Sequence, residues 1–107
     1  MANDYGTIFV SSNIYFTPVN GATLVLNENV ENAVINPAGT LATLVINMPK
    51  NPNDGQTVTV GTSQTLTTIT LVPGAGHVIK NTITTLPAGN GFQYIFRRTN
   101  LTWYRLD

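Results

Sequence analysis

The sequence predicts an all-β fold, a single domain built as an antiparallel β-sandwich of the jelly-roll type. The apolar runs are short and rich in valine, isoleucine and threonine, and no window repeats with the helical period. Glycine, proline or asparagine interrupts the chain roughly every eight to twelve residues. The 107 residues suffice for one modest core. About eight to ten strands are predicted, which suits two packed sheets.

Five strands are predicted in the first half of the chain, at residues 7–10, 14–17, 23–26, 33–35 and 41–48. Asn20 and Gly21 separate the second of these from the third. Because both residues accept the positive φ angles of a type I′ turn, they predict a β-hairpin between those two strands. The fifth strand is mostly apolar on both faces, which favours a central position in a sheet or a contact between subunits.

The second half is predicted to contain strands at 56–60, 65–72, 78–80 and 82–86, followed by a closing hairpin at 92–107. A turn at 49–55 precedes the first of these strands. Its residues predict its geometry: Asp54 is expected to cap its own backbone, and Gly55 is expected to take the left-handed conformation.

The closing hairpin holds many of the large side chains. Alternation along its first strand predicts a face that carries Phe92, Tyr94 and Phe96. The second strand, which contains Trp103, alternates in the same way, and residues 98–101 supply the turn. Since these side chains are expected to pack together, the hairpin favours an architectural role over a catalytic one.

Charged residues are scarce in this chain. They make up 9% of the residues, against about a quarter in an average domain, and the formal net charge is zero. Five basic residues cannot build the surface that nucleic-acid binding requires, so no nucleic-acid partner is expected. Threonine and asparagine, 30 of the 107 residues, replace the missing charge. Two interpretations stay open: much of this surface is buried against copies of the chain, or the chain is a threonine-rich β domain.

The residue types that catalysis and metal binding need are few. The chain has no cysteine and one histidine, His77, so neither a metal pair nor a nucleophile and base can be assembled from them. The acidic residues fall in predicted loops, turns or termini; they are Asp4, Glu28, Glu31, Asp54 and Asp107. We therefore predict no catalytic residue, no metal site and no cofactor, and a protein that is not an enzyme.

The closing hairpin brings aromatic and basic residues together, and this pattern predicts a contact surface for a glycan or a protein partner. The candidate contact residues are Tyr94, Arg97, Trp103, Tyr104 and Arg105. A structural interpretation stays open beside it, in which the arginines stack on the aromatic rings or bind a carboxylate such as that of Asp107.

Four stretches carry a resemblance to a known family: Asn36-Pro-Ala-Gly-Thr-Leu-Ala-Thr-Leu44, Met48-Pro-x-x-Pro-x-Asp-Gly-Gln56, Leu86-Pro-Ala-Gly-x-Gly-Phe92 and Asn100-x-Thr-Trp-Tyr-Arg-Leu106. Through them, residues 31–107 resemble a small β domain of tailed-bacteriophage virion proteins. Such domains occur at the ends of fibres and in the knobs that decorate phage heads. The four motifs carry no known chemistry.

The resemblance implies a homotrimeric structural protein of the virion. The chain has no long shaft, so the family member that fits best is a capsid decoration or cement protein, a knob or head fibre on the outer capsid surface. Its partners would be its own copies and the major capsid protein or other virion proteins. The alternative is a tail-fibre or receptor-binding module that recognises a host surface glycan.

Residues 1–30 precede the shared domain and are interpreted as an amino-terminal arm. Its aromatic residues, Tyr5, Phe9, Tyr15 and Phe16, are expected to dock onto the capsid or a neighbouring subunit by strand addition. The amino terminus lacks the pattern of a secretory signal, and no apolar run approaches the roughly twenty residues of a membrane span. We expect a soluble protein, made in the host cytoplasm and without a membrane partner.

Overall fold

A computed structural model of the protein describes residues 13–107, and this part of the chain is all-β. The predicted strand at 7–10, with Tyr5 and Phe9, lies outside the described residues. No helix in the described part is long and apolar enough to cross a membrane. The strands are β1 Asn13–Phe16, β2 Thr23–Val25, β3 Asn32–Ile35, β4 Leu41–Asn47, β5 Thr57–Thr62, β6 Leu66–Val72, β7 Val78–Ile79, β8 Gly91–Arg97 and β9 Thr102–Arg105, with a 3₁₀ turn at Arg98–Asn100.

The strands form two sheets that the chain visits alternately. In the six-stranded sheet β1, β3 and β5 lie side by side and parallel, and in the three-stranded sheet β2, β4 and β6 do the same. Each consecutive pair of strands therefore completes one coil, and three coils stack into a short solenoid. The expected all-antiparallel sandwich is corrected in this respect, because strands that follow one another along these coils lie in different sheets.

The turn at Asn20 and Gly21 explains the difference. Of the two residues only Gly21 has a positive φ angle, 81°, and the Ala22 N–H donates to the Val19 carbonyl at 3.1 Å. This is the geometry of a type II turn, whereas the predicted hairpin needs positive φ at both residues. The Asn20 side-chain oxygen accepts a hydrogen bond from the Thr43 N–H at 3.0 Å. The turn is a corner that leads the chain from one sheet to the other.

The two sheets enclose one core, in which side chains of successive coils stack. Leu24, Ile46 and Leu71 are register partners across the three-stranded sheet, and all three are buried. Burial of this kind stabilises by about 25 cal/mol per Å² of apolar surface. Leu26 and Val30 belong to the same core. The described part of the predicted arm, residues 13–30, is therefore the first coil of the fold rather than a segment separate from it.

Matching irregularities in β4 and β6 keep the coils in register. Leu41 is buried, the next two residues are exposed, and Leu44 is buried again; Leu66 and Ile69 repeat this pattern one coil later. Leu41 pairs with Leu66 and Leu44 with Ile69. Because both strands change face at the same place, the inward positions of the two coils stay aligned along the strands.

The carboxyl-terminal part closes one end of the solenoid. β8 pairs antiparallel with β5, and β9 pairs antiparallel with β8, which confirms the predicted closing hairpin. β7 lies parallel to β9. Beside β6, the segment 82–86 forms a single bridge, between Leu86 and Leu66, in place of the predicted strand. The Ile69 N–H donates to the Thr84 carbonyl at 2.8 Å. The third coil is thus covered at both sheets.

A buried tyrosine ties the hairpin to the segment before it. The Tyr94 hydroxyl donates to the Asn81 carbonyl at 2.8 Å and accepts from the Ile83 N–H at 3.1 Å. Asn81 has a positive φ angle of 54°, which an asparagine tolerates better than most residues. Burial raises the pKa of Tyr94 above its usual 10.0, the Ile83 hydrogen bond and Arg105 lower it, and Asp107 raises it slightly further.

Replacing Tyr94 with phenylalanine is expected to lower the free energy of unfolding by about 1 to 3 kcal/mol, because the buried Ile83 N–H and the Asn81 carbonyl both lose a partner. The raised pKa means that the folded state favours the neutral phenol. The contribution of the neutral Tyr94 phenol to the free energy of unfolding is complete below pH 10.0 and is lost as the pH rises through the raised pKa. Urea unfolding should be measured below and above pH 10.0. The free energy of unfolding should fall less between the two pH values in Tyr94→Phe than in the unmodified protein. An equal alkaline loss in both proteins would contradict this prediction.

Candidate functional site: the hairpin groove

The closing hairpin divides the predicted contact residues between its two faces. Tyr94 and Trp103 are fully buried, and the Trp103 ring packs on Phe96 with centroids 5.1 Å apart. These two side chains are part of the core, so the prediction that they form a contact surface is corrected. Arg97 and Tyr104 project from the opposite face, because side chains alternate along each strand.

A shallow groove lies on this opposite face, between the hairpin and the turn that precedes β5. Its volume is about 590 Å³. We call it the hairpin groove; it is lined by Asp54, Gly55, Ile95, Phe96, Arg97, Thr99 and Tyr104. The sequence predicted two of these, Arg97 and Tyr104, as contact residues.

The turn at residues 53–56 positions the acidic side of the groove. Gly55 has a φ angle of 78°, which confirms the predicted left-handed conformation, and its N–H donates to the Phe96 carbonyl at 2.8 Å. The expected self-cap of Asp54 is replaced by a longer-range contact. Its Oδ1 accepts the Arg98 N–H at 2.8 Å, across the groove wall. This bond fixes the carboxylate at the start of the 3₁₀ turn.

The floor of the groove is an apolar pair. Ile95 and Tyr104 are direct register partners in the antiparallel ladder, and both side chains are half-buried. The Tyr104 hydroxyl accepts a hydrogen bond from the Asn100 Nδ2 at 2.7 Å. The ring of Tyr104 is therefore held in place at both ends, by the strand at Cβ and by Asn100 at the hydroxyl.

Two neighbouring arginines have different roles at the groove. The Arg98 Nη1 donates to the Pro52 carbonyl at 3.4 Å, which ties the hairpin turn to the 49–55 loop. The Arg97 side chain is exposed and has no hydrogen-bond or ion-pair partner among residues 13–107. Its guanidinium is available to a ligand, and it is the basic group that lines the groove.

Arg105, another predicted contact residue, does not line the groove. Its Nε lies 3.0 Å from the Asp107 Oδ1 in an exposed ion pair, as the structural interpretation of the arginines anticipated for this residue. The hydrogen bond with Asp107 raises the pKa of Arg105, and the same bond with Arg105 lowers the pKa of Asp107. Because both groups face solvent, this pair contributes little to stability.

The two described aromatic residues of the predicted docking arm differ in how far they are exposed. Tyr15 is 61% exposed, and its hydroxyl accepts a hydrogen bond from the Asn36 Nδ2 at 2.6 Å. Phe16 is half-buried and packs against the core. Of these two aromatic residues, only Tyr15 presents most of its surface to a partner.

His77 lies in the loop before β7. Its ring packs on Phe96 with centroids 5.0 Å apart, and its Nδ1 is buried without a hydrogen-bond partner in the described part of the chain. A Cβ placed on Gly74 would lie 2.9 Å from this nitrogen, so the ring fits closely over its own turn. Across residues 13–107, no group of three or more His, Asp or Glu could hold a metal ion.

Comparisons of the chain with protein-family models, with curated proteins and with solved structures gave no match. The candidate site is therefore defined by its own geometry.

Sequence reasoning missed the other five lining residues of the groove, of which Asp54, Ile95 and Thr99 contribute side chains to the proposed contacts. Asp54 was assigned to its local turn, and it lies about forty residues before the hairpin that it contacts. Ile95 and Thr99 stand beside predicted contact residues, and the alternation of β8 already placed Ile95 on the same face as Arg97. That alternation was the available signal; for Asp54 the sequence offered none.

Proposed function

We propose that this chain is a non-enzymatic structural protein of a tailed-phage virion, a decoration or cement protein on the outer surface of the head. The observation that carries the proposal is the difference between the two ends of the solenoid. In the part of the chain that the structure describes, one end is closed by the carboxyl-terminal segment, and the other is formed by the edge strands β1 and β2. A fold with one capped end suits a protein that attaches through the other.

The attaching end offers backbone hydrogen-bonding groups to a partner as well as side chains. An edge strand can pair with a strand from another chain, and solenoids need a cap at each end. In the parallel pair of β2 and β4, the Leu26 N–H donates to the Asn47 carbonyl at 3.0 Å. Because successive N–H groups point in opposite directions, the Val25 N–H faces away from β4. Among residues 13–107 no strand pairs with this edge of β2, so the N–H can pair with an added strand of the major capsid protein.

The homotrimer belongs to the same proposal, and the outer face of the three-stranded sheet supports it. The three strands contain no charged residue. The outward side chains are threonine and valine with one alanine and one asparagine; Thr23, Val45 and Thr70 are register partners, as are Val25, Asn47 and Val72. An uncharged face can meet a copy of itself without bringing like charges together.

Gold labelling of purified virions with an antibody against the chain tests the location. Label spread over the head is the expected result. Label confined to the tail or its tips would contradict the decoration role and would favour the receptor-binding alternative.

The attachment mode is tested by replacing Val25 with proline, with Val25→Thr as the matched control. Proline removes the outward N–H and places its ring where an added strand would pair, so incorporation into virions should fall about tenfold or more. Threonine keeps the N–H and should incorporate like the unmodified protein. The thermal midpoint of each variant shows whether the fold is intact. A folded Val25→Pro protein that incorporates normally would contradict attachment through β2.

A second function, recognition of a host surface glycan, is favoured by the hairpin groove. The groove lies on the capped side of the molecule, on the hairpin that follows the third coil. A protein attached through β1 and β2 would present this groove away from the particle, where a cell surface can reach it.

A further inference from the structure

We propose that the hairpin groove binds a neutral hexose, with Tyr104 as the platform for the sugar ring and with Asp54 and Arg97 as the groups that bind its hydroxyls. This inference rests on the second proposed function and names the ligand class of that site. The hexose would be a unit of a cell-surface polysaccharide.

The platform is already ordered in the free protein. Tyr104 and Ile95 lie directly opposite each other and form one apolar patch. The hydrogen bond from Asn100 to the Tyr104 hydroxyl fixes the ring orientation. A hexose has an apolar face of C–H groups that packs on an aromatic ring, and a ring that is fixed in advance loses little conformational freedom on binding.

The polar groups of the groove select a ligand with hydroxyls. Asp54 uses one carboxylate oxygen for the Arg98 N–H, and the other, which has no partner among residues 13–107, can accept hydrogen bonds at a defined position. Arg97 has donors without partners among residues 13–107, and the Thr99 hydroxyl can both donate and accept. Each hydroxyl of a hexose can do both as well, which matches this mixed set.

The charges of the groove argue against ionic ligands. An anionic sugar or a phosphate would approach Arg97 but would be repelled by Asp54, and a cation would meet the reverse arrangement. The neighbouring Arg98 side chain donates to the Pro52 carbonyl and is not among the residues that line the groove. A neutral ligand satisfies both charged groups without a repulsive contact.

The size of the groove sets the expected affinity. A volume of about 590 Å³ lies within the range of small-molecule sites and can hold one or two sugar units. Because the groove is shallow and a single hexose makes few contacts, we expect a dissociation constant of about 1 mM. Several copies of the protein on one particle would strengthen attachment through multivalency.

The test is a titration of the isotope-labelled full chain with methyl glycosides of glucose, galactose and mannose, followed by nuclear magnetic resonance. At least one glycoside should shift the amide signals of Gly55, Thr99 and Tyr104. Tyr104→Ala should weaken binding about tenfold or more, whereas Tyr104→Phe, which keeps the ring, should stay within about threefold. Tyr15→Ala removes an exposed tyrosine outside the groove and should leave binding unchanged. Asp54→Asn retains an oxygen for Arg98 and should weaken binding with the fold intact.

Three results would overturn the proposal: no shifted signal at any of the three glycosides up to roughly 100 mM, shifts that map outside the groove, or tighter binding of glucuronate than of glucose. These results are independent of where the gold label lies on the virion. The decoration role can therefore fail while the saccharide site stands, and the reverse also holds.

Discussion

Replacing Gly91 with alanine is expected to lower the free energy of unfolding by about 3 kcal/mol or more, although only one methyl group is added. A Cβ at this position would lie 2.3 Å from the Val60 carbonyl oxygen and 3.3 Å from the Gly61 Cα. Both neighbours are backbone atoms of β5, so they cannot rotate away. The methyl group can be accommodated only if β8 separates from β5, and this pairing joins the closing hairpin to the third coil.

Gly61 provides the matched control, because it is the direct register partner of Gly91. A Cβ at Gly61 would meet no heavy atom within 4 Å. Gly61→Ala should therefore change the free energy of unfolding by no more than about 0.5 kcal/mol. Urea unfolding followed by Trp103 fluorescence measures both variants. Equal effects of the two substitutions would show that the contact with Val60 does not decide the stability of this pair.

Replacing Trp103 with alanine is expected to cost about 3 to 5 kcal/mol, a large part of the stability of a domain of this size. The side chain is fully buried, and its ring packs on Phe96. Phe96 in turn contacts the His77 ring. The cavity left by Trp103 would therefore loosen the hairpin together with the loop that leads to β7. Urea unfolding followed by circular dichroism measures this change without the tryptophan signal.

Trp103→Phe tests how much of the effect comes from the side-chain volume and how much from the indole N–H. The Trp103 Nε1 is buried without a hydrogen-bond partner among the described residues, so phenylalanine removes an unsatisfied donor while it keeps an aromatic ring. We expect a loss well below that of alanine. Leu106→Ala, at a side chain that is 53% exposed, should change stability by no more than about 0.5 kcal/mol. A Trp103→Ala protein as stable as Leu106→Ala would contradict the packing described for this hairpin.

The candidate site was only partly predictable. Arg97 and Tyr104 were found because aromatic and basic residues alternate within one hairpin, which is a local pattern. The same pattern also suggested Tyr94 and Trp103, which alternation places on the buried face. Asp54 reaches the groove only because the 49–55 loop folds against the 3₁₀ turn, a contact between residues 44 positions apart in the chain.

The sequence by itself determined the all-β character of residues 13–107, most of the strand positions and the closing hairpin. These properties depend on the alternation of apolar residues, on the preference of valine, isoleucine and threonine for strands, and on the conformations that glycine, asparagine and proline accept. All of them act within a few residues, so they can be read from neighbouring positions.

Only the tertiary structure decided which strands pair. The backbone hydrogen bonds of β1 can be satisfied by β2 or by β3 equally well, so the choice depends on the side chains that stack when the coils form. The coils also differ in length: the register partners Asn13, Asn32 and Thr59 are 19 and 27 residues apart. Unequal spacing hides the repeat from the sequence, whereas in the folded chain the stacked core side chains favour parallel coils over the predicted hairpin.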